Sequence, residues 1–265
     1  MKKNKIKEAL SKGQTIVGTM MTEIRTPEVA RALAASGFDF IFVDMEHSAY
    51  SYETFTEIVR TSKAVGLTCL ARIIDPQYGL VARTLDSGAQ GLLIPRVETK
   101  EVIENVVRFA KYPPWGERGF GIRSVVGDYE KVSVKDRIDE QNQDTMIIPQ
   151  IERAKAVENI DGLLSVKGVD VALIGPQDLS ISLGVPGELK HEKVIDAIGK
   201  VVDACKKHGL AAGIHSPNMD DLLFWKDRGM KMLTYSTETA LMQSAASQAV
   251  TKIRAVANSK EKVSR

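Results

Sequence analysis

No stretch of this 265-residue chain is apolar for long enough to span a bilayer. Met1 leads straight into a polar, Lys-rich segment, Lys2–Lys7, so the apolar core of a secretory signal is missing as well. Cysteine is scarce. Cys69 and Cys205 sit in apolar or helical surroundings, with no CxxC pair and no even framework, which excludes a disulfide scaffold and fits a reducing cytoplasm. Charge excess is absent too: 36 Lys and Arg against 34 Asp and Glu leave a net charge of +2, so nothing points to nucleic acid or an anionic membrane as a partner. There is no low-complexity linker and no break in composition. Residues 1–265 therefore read as one domain, long enough to bury a sizeable core.

What is present is a rhythm. Short, β-branched apolar runs recur at Thr15–Met20, Phe38–Val43, Thr68–Ala71, Gly91–Ile94, Met146–Ile151, Val169–Ile174, Ala211–Ile214 and Met232–Tyr235. Amphipathic stretches alternate with them: Pro27–Ser36, Tyr52–Val65, Tyr78–Ser87, Glu101–Ala110, Arg153–Ser165, Glu192–His208, Met219–Arg228 and Glu238–Ala257. Gly37, Gly66, Gly88, Gly209 and Gly229 each stand where a helix stops and a strand opens. Apolar strands alternating with helices predict a parallel sheet covered by helices. Eight such units predict a closed (β/α)8 TIM barrel. A doubly wound sheet would carry a glycine-rich phosphate loop after its first strand; Met20-Met21-Thr22-Glu23 stands there instead. The segment Lys111–Asp144 matches neither period cleanly and reads as a long loop on the catalytic face or at a subunit contact.

In such a barrel the chemistry lies at the carboxyl ends of the strands. Asp44, Glu46 and His47 follow the second strand; Arg72 ends the third and Pro95-Arg96 the fourth. Gln150-Ile151-Glu152 ends the fifth, Gly175-Pro176-Gln177-Asp178 follows the sixth, His215-Ser216 the seventh and Ser236-Thr237-Glu238 the eighth. Ionisable groups this dense on apolar strands need partners or a metal. Each also has a plain structural explanation. Glu152 or Asp178 could complement the first turn of the helix that follows it. Arg72 could be a structural ion pair and His47 a satisfied polar neighbour. Taken together, Glu152 and Asp178 can converge on one hard cation, Mg²⁺ or Mn²⁺, whose remaining positions a 2-oxo acid would fill. Arg72 at a strand end can hold a carboxylate or an enolate oxygen. A carboxylate beside His47 would fix its tautomer and raise its basicity.

The run Gly37–His47 resembles the histidine segment of the HpcH/HpaI aldolases, class II pyruvate aldolases that include 4-hydroxy-2-oxo-heptane-1,7-dioate aldolase and 2-dehydro-3-deoxyglucarate aldolase. Ala71–Ile73, Leu85–Gly91, Pro149–Glu152 and Ile174–Ser180 are similar to theirs, in order, over nearly the whole chain. The resemblance implies that His47 is the base, Asp86 the acid that raises its basicity, and Arg72 the group stabilising the enolate-like transition state. Glu152 and Asp178 would ligate a divalent cation (Mg²⁺, Mn²⁺ or Co²⁺), Gln150 would touch substrate, and the backbone at Gln177 and Asp178 would donate to the pyruvate carboxylate. It also implies cleavage of 4-hydroxy-2-oxo acids to pyruvate and an aldehyde, the small-molecule partners, and a homo-oligomer, hexamer or trimer, whose C-terminal helix exchanges between subunits. The apolar stripe Leu241, Ala245, Ala249 suits that exchange or ordinary packing onto the barrel.

Three other readings remain. A Schiff-base aldolase needs a lysine pointing into the barrel, and strands two to seven contain none. A citrate-lyase-β- or malyl-CoA-lyase-like enzyme would share metal and barrel but act on acyl-CoA esters; the short chain and the spacing around His47 favour the plain aldolase. A non-catalytic paralogue is disfavoured by the intact set His47, Arg72, Glu152 and Asp178.

Overall fold

The computed structural model describes residues 3–121 and 124–263. Helix α1 (Lys5–Ser11) precedes β1 (Ile16–Met21), and α2 (Glu28–Ala35), β2 (Phe40–Asp44), α3 (Tyr52–Val65), β3 (Thr68–Arg72), α4 (Tyr78–Asp86), β4 (Gly91–Ile94) and α5 (Lys100–Ala110) follow. Two helices, α6 (Ser124–Gly127) and α7 (Val134–Asp144), lead into β5 (Met146–Ile151). Then come α8 (Ala154–Glu158), α9 (Ile160–Leu164), β6 (Val171–Ile174), α10 (Pro176–Ser182), α11 (Glu192–His208), β7 (Ala211–Ser216), α12 (Met219–Asp227), β8 (Met232–Thr237) and α13 (Glu238–Val263). The strands are all parallel and close in chain order, β1 pairing with both β2 and β8. None of the described helices is long and apolar enough to cross a membrane.

Local chemistry sets these boundaries. Ser51 caps α3 by accepting from the Thr54 N–H at 3.1 Å, and Gly66 ends it in the left-handed region at φ 77°. Gly209 ends α11 in the same way at φ 68°. All five glycines read as helix stops have positive φ. The helix expected over Arg153–Ser165 is broken at Asn159 into α8 and α9.

Alternation along the strands divides the core in two. Ile16, Met20, Phe40, Phe42, Leu70, Leu93, Met146, Ile148, Val171, Leu173 and Met232 point inward and fill the barrel; Ile41, Val43, Cys69, Ala71, Leu92, Ile147, Ala172, Ile214 and Leu233 point outward into the helix layer. Gly18 is required where it stands, because a Cβ there would meet the Phe40 ring at 2.4 Å. The amino end of the barrel is plugged by α1. Ile6 joins the inner cluster, and Asn4 donates to the carbonyls of Gln90 (3.1 Å) and Asp144 (2.9 Å). A helix of seven residues had no strong period to announce it, so the segment Lys2–Lys7 reads in sequence only as polar.

The described residues of the segment 111–144 lie at this same end, not on the catalytic face. It links the end of α5 to the start of β5, and buried Lys111 ties it down by donating to the carbonyls of Asn142 (2.6 Å) and Thr145 (2.7 Å). Burial pushes the Lys111 ammonium down to about 7. The segment is also not a plain loop, since α6 and α7 lie within it.

Candidate active site

The inward register that fills the barrel with hydrocarbon becomes polar at its last step. Phe40 and Phe42 are followed by Asp44, Leu70 by Arg72, Met146 and Ile148 by Gln150, Leu173 by Gly175, Gly213 by His215, and Met232 and Thr234 by Ser236. Strand pairing thus aims these groups into one mouth. A cavity of about 320 Å³ there is lined by Met20, Arg72, Leu93, Gln150, Asp178 and His215, among others. An adjoining one of about 310 Å³ is lined by Glu46, His47, Arg96, Glu152 and Asp178. Asp178 borders both.

After β2 the chain is turned by Asp44. Its Oδ1 accepts the backbone N–H of Glu46 at 3.0 Å and of His47 at 3.3 Å, which fixes the turn that carries the histidine. The same carboxylate grips Arg72, accepting from Nε at 2.9 Å and Nη2 at 2.6 Å. Burial by itself would raise the Asp44 carboxyl, but Arg72 outweighs it and, with the two backbone N–H groups, holds it below its ordinary value. Glu46 is buried next to this pair. Its carboxylate lies 3.5 Å from Arg72 Nε, 3.3 Å from Arg96 Nε and 3.7 Å from His47 Nε2. Burial raises it despite those cations. The His47 side chain is 69% exposed, at the mouth's rim.

Glu152 follows β5 and is buried. Oε1 accepts the Arg96 backbone N–H at 2.6 Å, presented by an Arg96 with φ 53°, and Oε2 accepts from Gln150 Nε2. Burial raises the Glu152 carboxyl, the Arg96 N–H opposes this, and the carboxylates of Asp178 and Glu46 push it further up. Gly175 makes room for the arrangement: a Cβ there would stand 2.8 Å from Gln150 Nε2 and 3.2 Å from Glu152 Oε2. Gln150 Oε1 is buried with no hydrogen-bond partner. Crowded carboxylates and an orphaned amide oxygen form a donor set short of positive charge, which fits a hard divalent cation completed by a ligand. Among the described residues no group of three or more His, Cys, Asp or Glu gathers to hold a metal by itself. The set amounts to two carboxylates, the number such a cation needs when water and substrate fill the rest.

Of the residues singled out in sequence, His47, Arg72, Gln150, Glu152 and Asp178 meet at this mouth. Gln177 and Asp178 fall in the first turn of α10 after Pro176, where backbone N–H groups lack intrahelical acceptors. Asp86 does not join them. It ends α4, which runs away from the mouth, and pairs with buried Arg118 at 2.6 Å. Four groups carry more than sequence reasoning gave them: Asp44, Glu46, Arg96 and Glu238. The buried Glu238 carboxylate accepts the N–H groups of Thr22 (3.0 Å), Glu23 (2.7 Å) and Ile24 (2.9 Å) and fixes the loop after β1 at the carboxyl end of the barrel. Their signal was present, since each follows a strand end, but the pairings need the fold.

Residues 20–245 match the model of the family described as HpcH/HpaI aldolase/citrate lyase. The hydroxypyruvate/pyruvate aldolase of Paraburkholderia phytofirmans is 30% identical over 256 residues, 95% of this chain and 98% of that one. A 2-keto-3-deoxy-L-rhamnonate aldolase of Escherichia coli is 33% identical over 251 residues, 92% of this chain and 91% of that one. The solved HpcH/HpaI aldolase of Desulfitobacterium hafniense superposes with a TM-score of 0.90 at 38% identity, over 94% of this chain and 96% of that one. Barrel, mouth and these matches together define a carbon–carbon lyase. The chain belongs to the HpcH/HpaI aldolase/citrate lyase family.

Proposed function

We propose that this protein is a divalent-cation-dependent aldolase that cleaves 4-hydroxy-2-oxo acids to pyruvate and an aldehyde and catalyses the reverse addition. The observation that carries this reading is the pairing of Glu152 and Asp178 at a mouth that also holds Arg72 and His47. A divalent cation held by Glu152 and Asp178, Mg²⁺, Mn²⁺ or Co²⁺, would act as a Lewis acid toward the 2-oxo acid.

In cleavage His47, directly or through a water, takes the proton of the 4-hydroxyl group; in addition it takes one from the methyl of pyruvate. Arg72, already oriented by Asp44, presents its remaining N–H groups to the oxygen on which negative charge develops. Gln150 contacts the substrate, and the backbone N–H groups of Gln177 and Asp178 receive its carboxylate.

Asp86 is part of this reading on one condition. With its carboxylate on Arg118 at the far end of α4, it can raise the basicity of His47 only when a second copy brings it there. A homo-oligomer, trimer or hexamer, suits that condition. So does α13, which leaves Met242, Val250 and Ile253 exposed, along with Ala245 and Ala249 of the stripe noted in sequence. The two free, buried cysteines suit a cytoplasmic setting.

The test is an assay of purified protein with pyruvate and simple aldehydes before and after EDTA. Activity lost with the chelator and regained with Mg²⁺, Mn²⁺ or Co²⁺ is expected. Borohydride trapping of pyruvate on the protein would replace this reading with a Schiff-base mechanism, and saturable binding of a CoA ester would replace it with an acyl-CoA lyase.

A further inference from the structure

Outside the barrel wall, between α11 and α12 at the carboxyl end of β7, lies a third cavity, of about 280 Å³, that the reading above does not use. Its walls are Leu189, Ile195, Ile198, Ile214, Phe224 and Trp225. The Phe224 and Trp225 rings meet edge to face at 5.0 Å, and the Arg228 guanidinium lies 3.4 Å from the centre of the Phe224 ring and steadies it. Of the charged residues that border the cavity, Lys190 and Asp220 are exposed and Asp221 is half-buried, so the charges keep to its edge. An apolar cavity of roughly 150 Å³ already takes a benzene-sized molecule. This one has room for a hydrocarbon chain or a ring.

Two of its residues, Pro176 and Leu189, also line the 320 Å³ cavity of the mouth, so the two spaces adjoin across apolar side chains. Pro176 opens α10, directly before Gln177 and Asp178. Leu189 is half-buried in the connection from α10 to α11, which also carries Gly184 and Gly187 at positive φ, and is the part of the partition that can turn aside. The other way out of the mouth is ionic: Glu46, Arg96, Glu152 and Arg153 border the cavity beside His47. A hydrocarbon chain laid there would strip water from charges. On the Leu189 side it passes Pro176, Leu189 and Pro217 and gives up only its own contact with water.

We propose that the cavity between α11 and α12 is a subsite for the tail of the acceptor, so that the aldehyde taken by this site carries an apolar chain or ring several carbons beyond its carbonyl. This rests on the aldolase reading. In the step, C3 of pyruvate gives a proton to the base and bonds to the aldehyde carbonyl carbon. The aldehyde oxygen takes up a proton, and the tail is carried unchanged into the 4-hydroxy-2-oxo acid. Each methylene that moves from water into the cavity should raise kcat/KM by roughly fourfold.

The experiment measures kcat/KM with pyruvate and Mn²⁺ for acetaldehyde, butanal, hexanal and octanal, in the intact protein and in Ile195→Phe, which fills the cavity from a helix that carries none of the reacting groups. The expected result in the wild type is an advantage of about tenfold or more for octanal over acetaldehyde. In Ile195→Phe that advantage should fall below about threefold, with acetaldehyde itself changed by less than the same factor. A second measurement needs no variant: 1-octanol, which has the tail and no carbonyl, should inhibit octanal turnover competitively. A wild-type series that is flat or falls with chain length would overturn the proposal and leave the aldolase standing. So would an advantage that survives undiminished in Ile195→Phe, or inhibition by octanol that is not competitive with octanal, which would make the cavity a separate ligand site. A wild type inactive with every aldehyde, short or long, would overturn the aldolase reading and this proposal together.

Discussion

Asp44 and Arg72 are register partners on β2 and β3, and their side chains meet in two parallel hydrogen bonds of 2.9 and 2.6 Å just above the packed barrel interior. The geometry spends two of the guanidinium's five N–H groups on orientation and aims the rest. Asp44→Asn should therefore lower kcat by about a hundredfold through a misdirected Arg72. It should also lower stability by about 3 kcal/mol, because a buried arginine loses its counter-charge. Urea unfolding and steady-state kinetics measure both; unchanged kcat would confine Asp44 to a folding role.

Glu152→Ala should abolish divalent-cation binding, read by calorimetry with Mn²⁺, and with it turnover. Near-normal turnover would remove Glu152 from the cation site. Burial and like charges hold the Glu152 proton on to a higher pH than its ordinary 4.5, so cation affinity should weaken on acidification earlier than an exposed glutamate would require.

His47→Ala should leave cation and pyruvate binding close to wild type while slowing proton transfer by roughly 10²–10⁴-fold. Abolished cation binding in this variant would make His47 a ligand and redivide the roles.

Most of the fold is legible in sequence because the barrel's requirements are local and periodic. The strands β4 and β5 and the helices α3 and α11 fall on the expected residues, since apolar runs, Ser51 and the stop glycines Gly66 and Gly209 fix them without help from afar. The short α1 and the helices within 111–144 are not legible. Asn4 and Lys111 are held by groups 30 or more residues away, Gln90, Asn142 and Thr145 among them, and no local pattern encodes such contacts. The site divides in the same way. Glu152, Asp178, His47 and Arg72 could be picked out by position alone, whereas Glu46 is just one more acid in a charged run until Arg72 and Arg96 are seen beside it.

Burial depresses the His215 imidazole, with a consequence for stability. The unfolded chain protonates this imidazole below pH 6.5, whereas the folded chain keeps it neutral down to about 4. The unfolded state thus binds more protons, so stability falls as pH drops from 6.5 toward 4, by at most about 3 kcal/mol. The difference in unfolding free energy between wild type and His215→Leu, followed over that window, should change by up to this amount. A difference independent of pH would show the ring to be charged in the fold.

Glu238→Ala removes the shared acceptor for the N–H groups of Thr22, Glu23 and Ile24. A stability loss of roughly 1–3 kcal/mol is expected, with a raised KM for the aldehyde as the loop after β1 loosens. Unaltered KM for every aldehyde tried would detach that loop from acceptor binding.

The alternation that turns hydrocarbon inward along six or so ångströms of each strand and places a polar group on the next inward step keeps two tasks on separate storeys of one building. The lower storeys can be left untouched while the uppermost residue of each strand is exchanged. A combinatorial library confined to positions 150, 215 and 236 should therefore yield mostly foldable variants that differ in what they accept, whereas a one-residue insertion between Ala71 and Arg72 would swing Arg72 out among the helices and silence the enzyme.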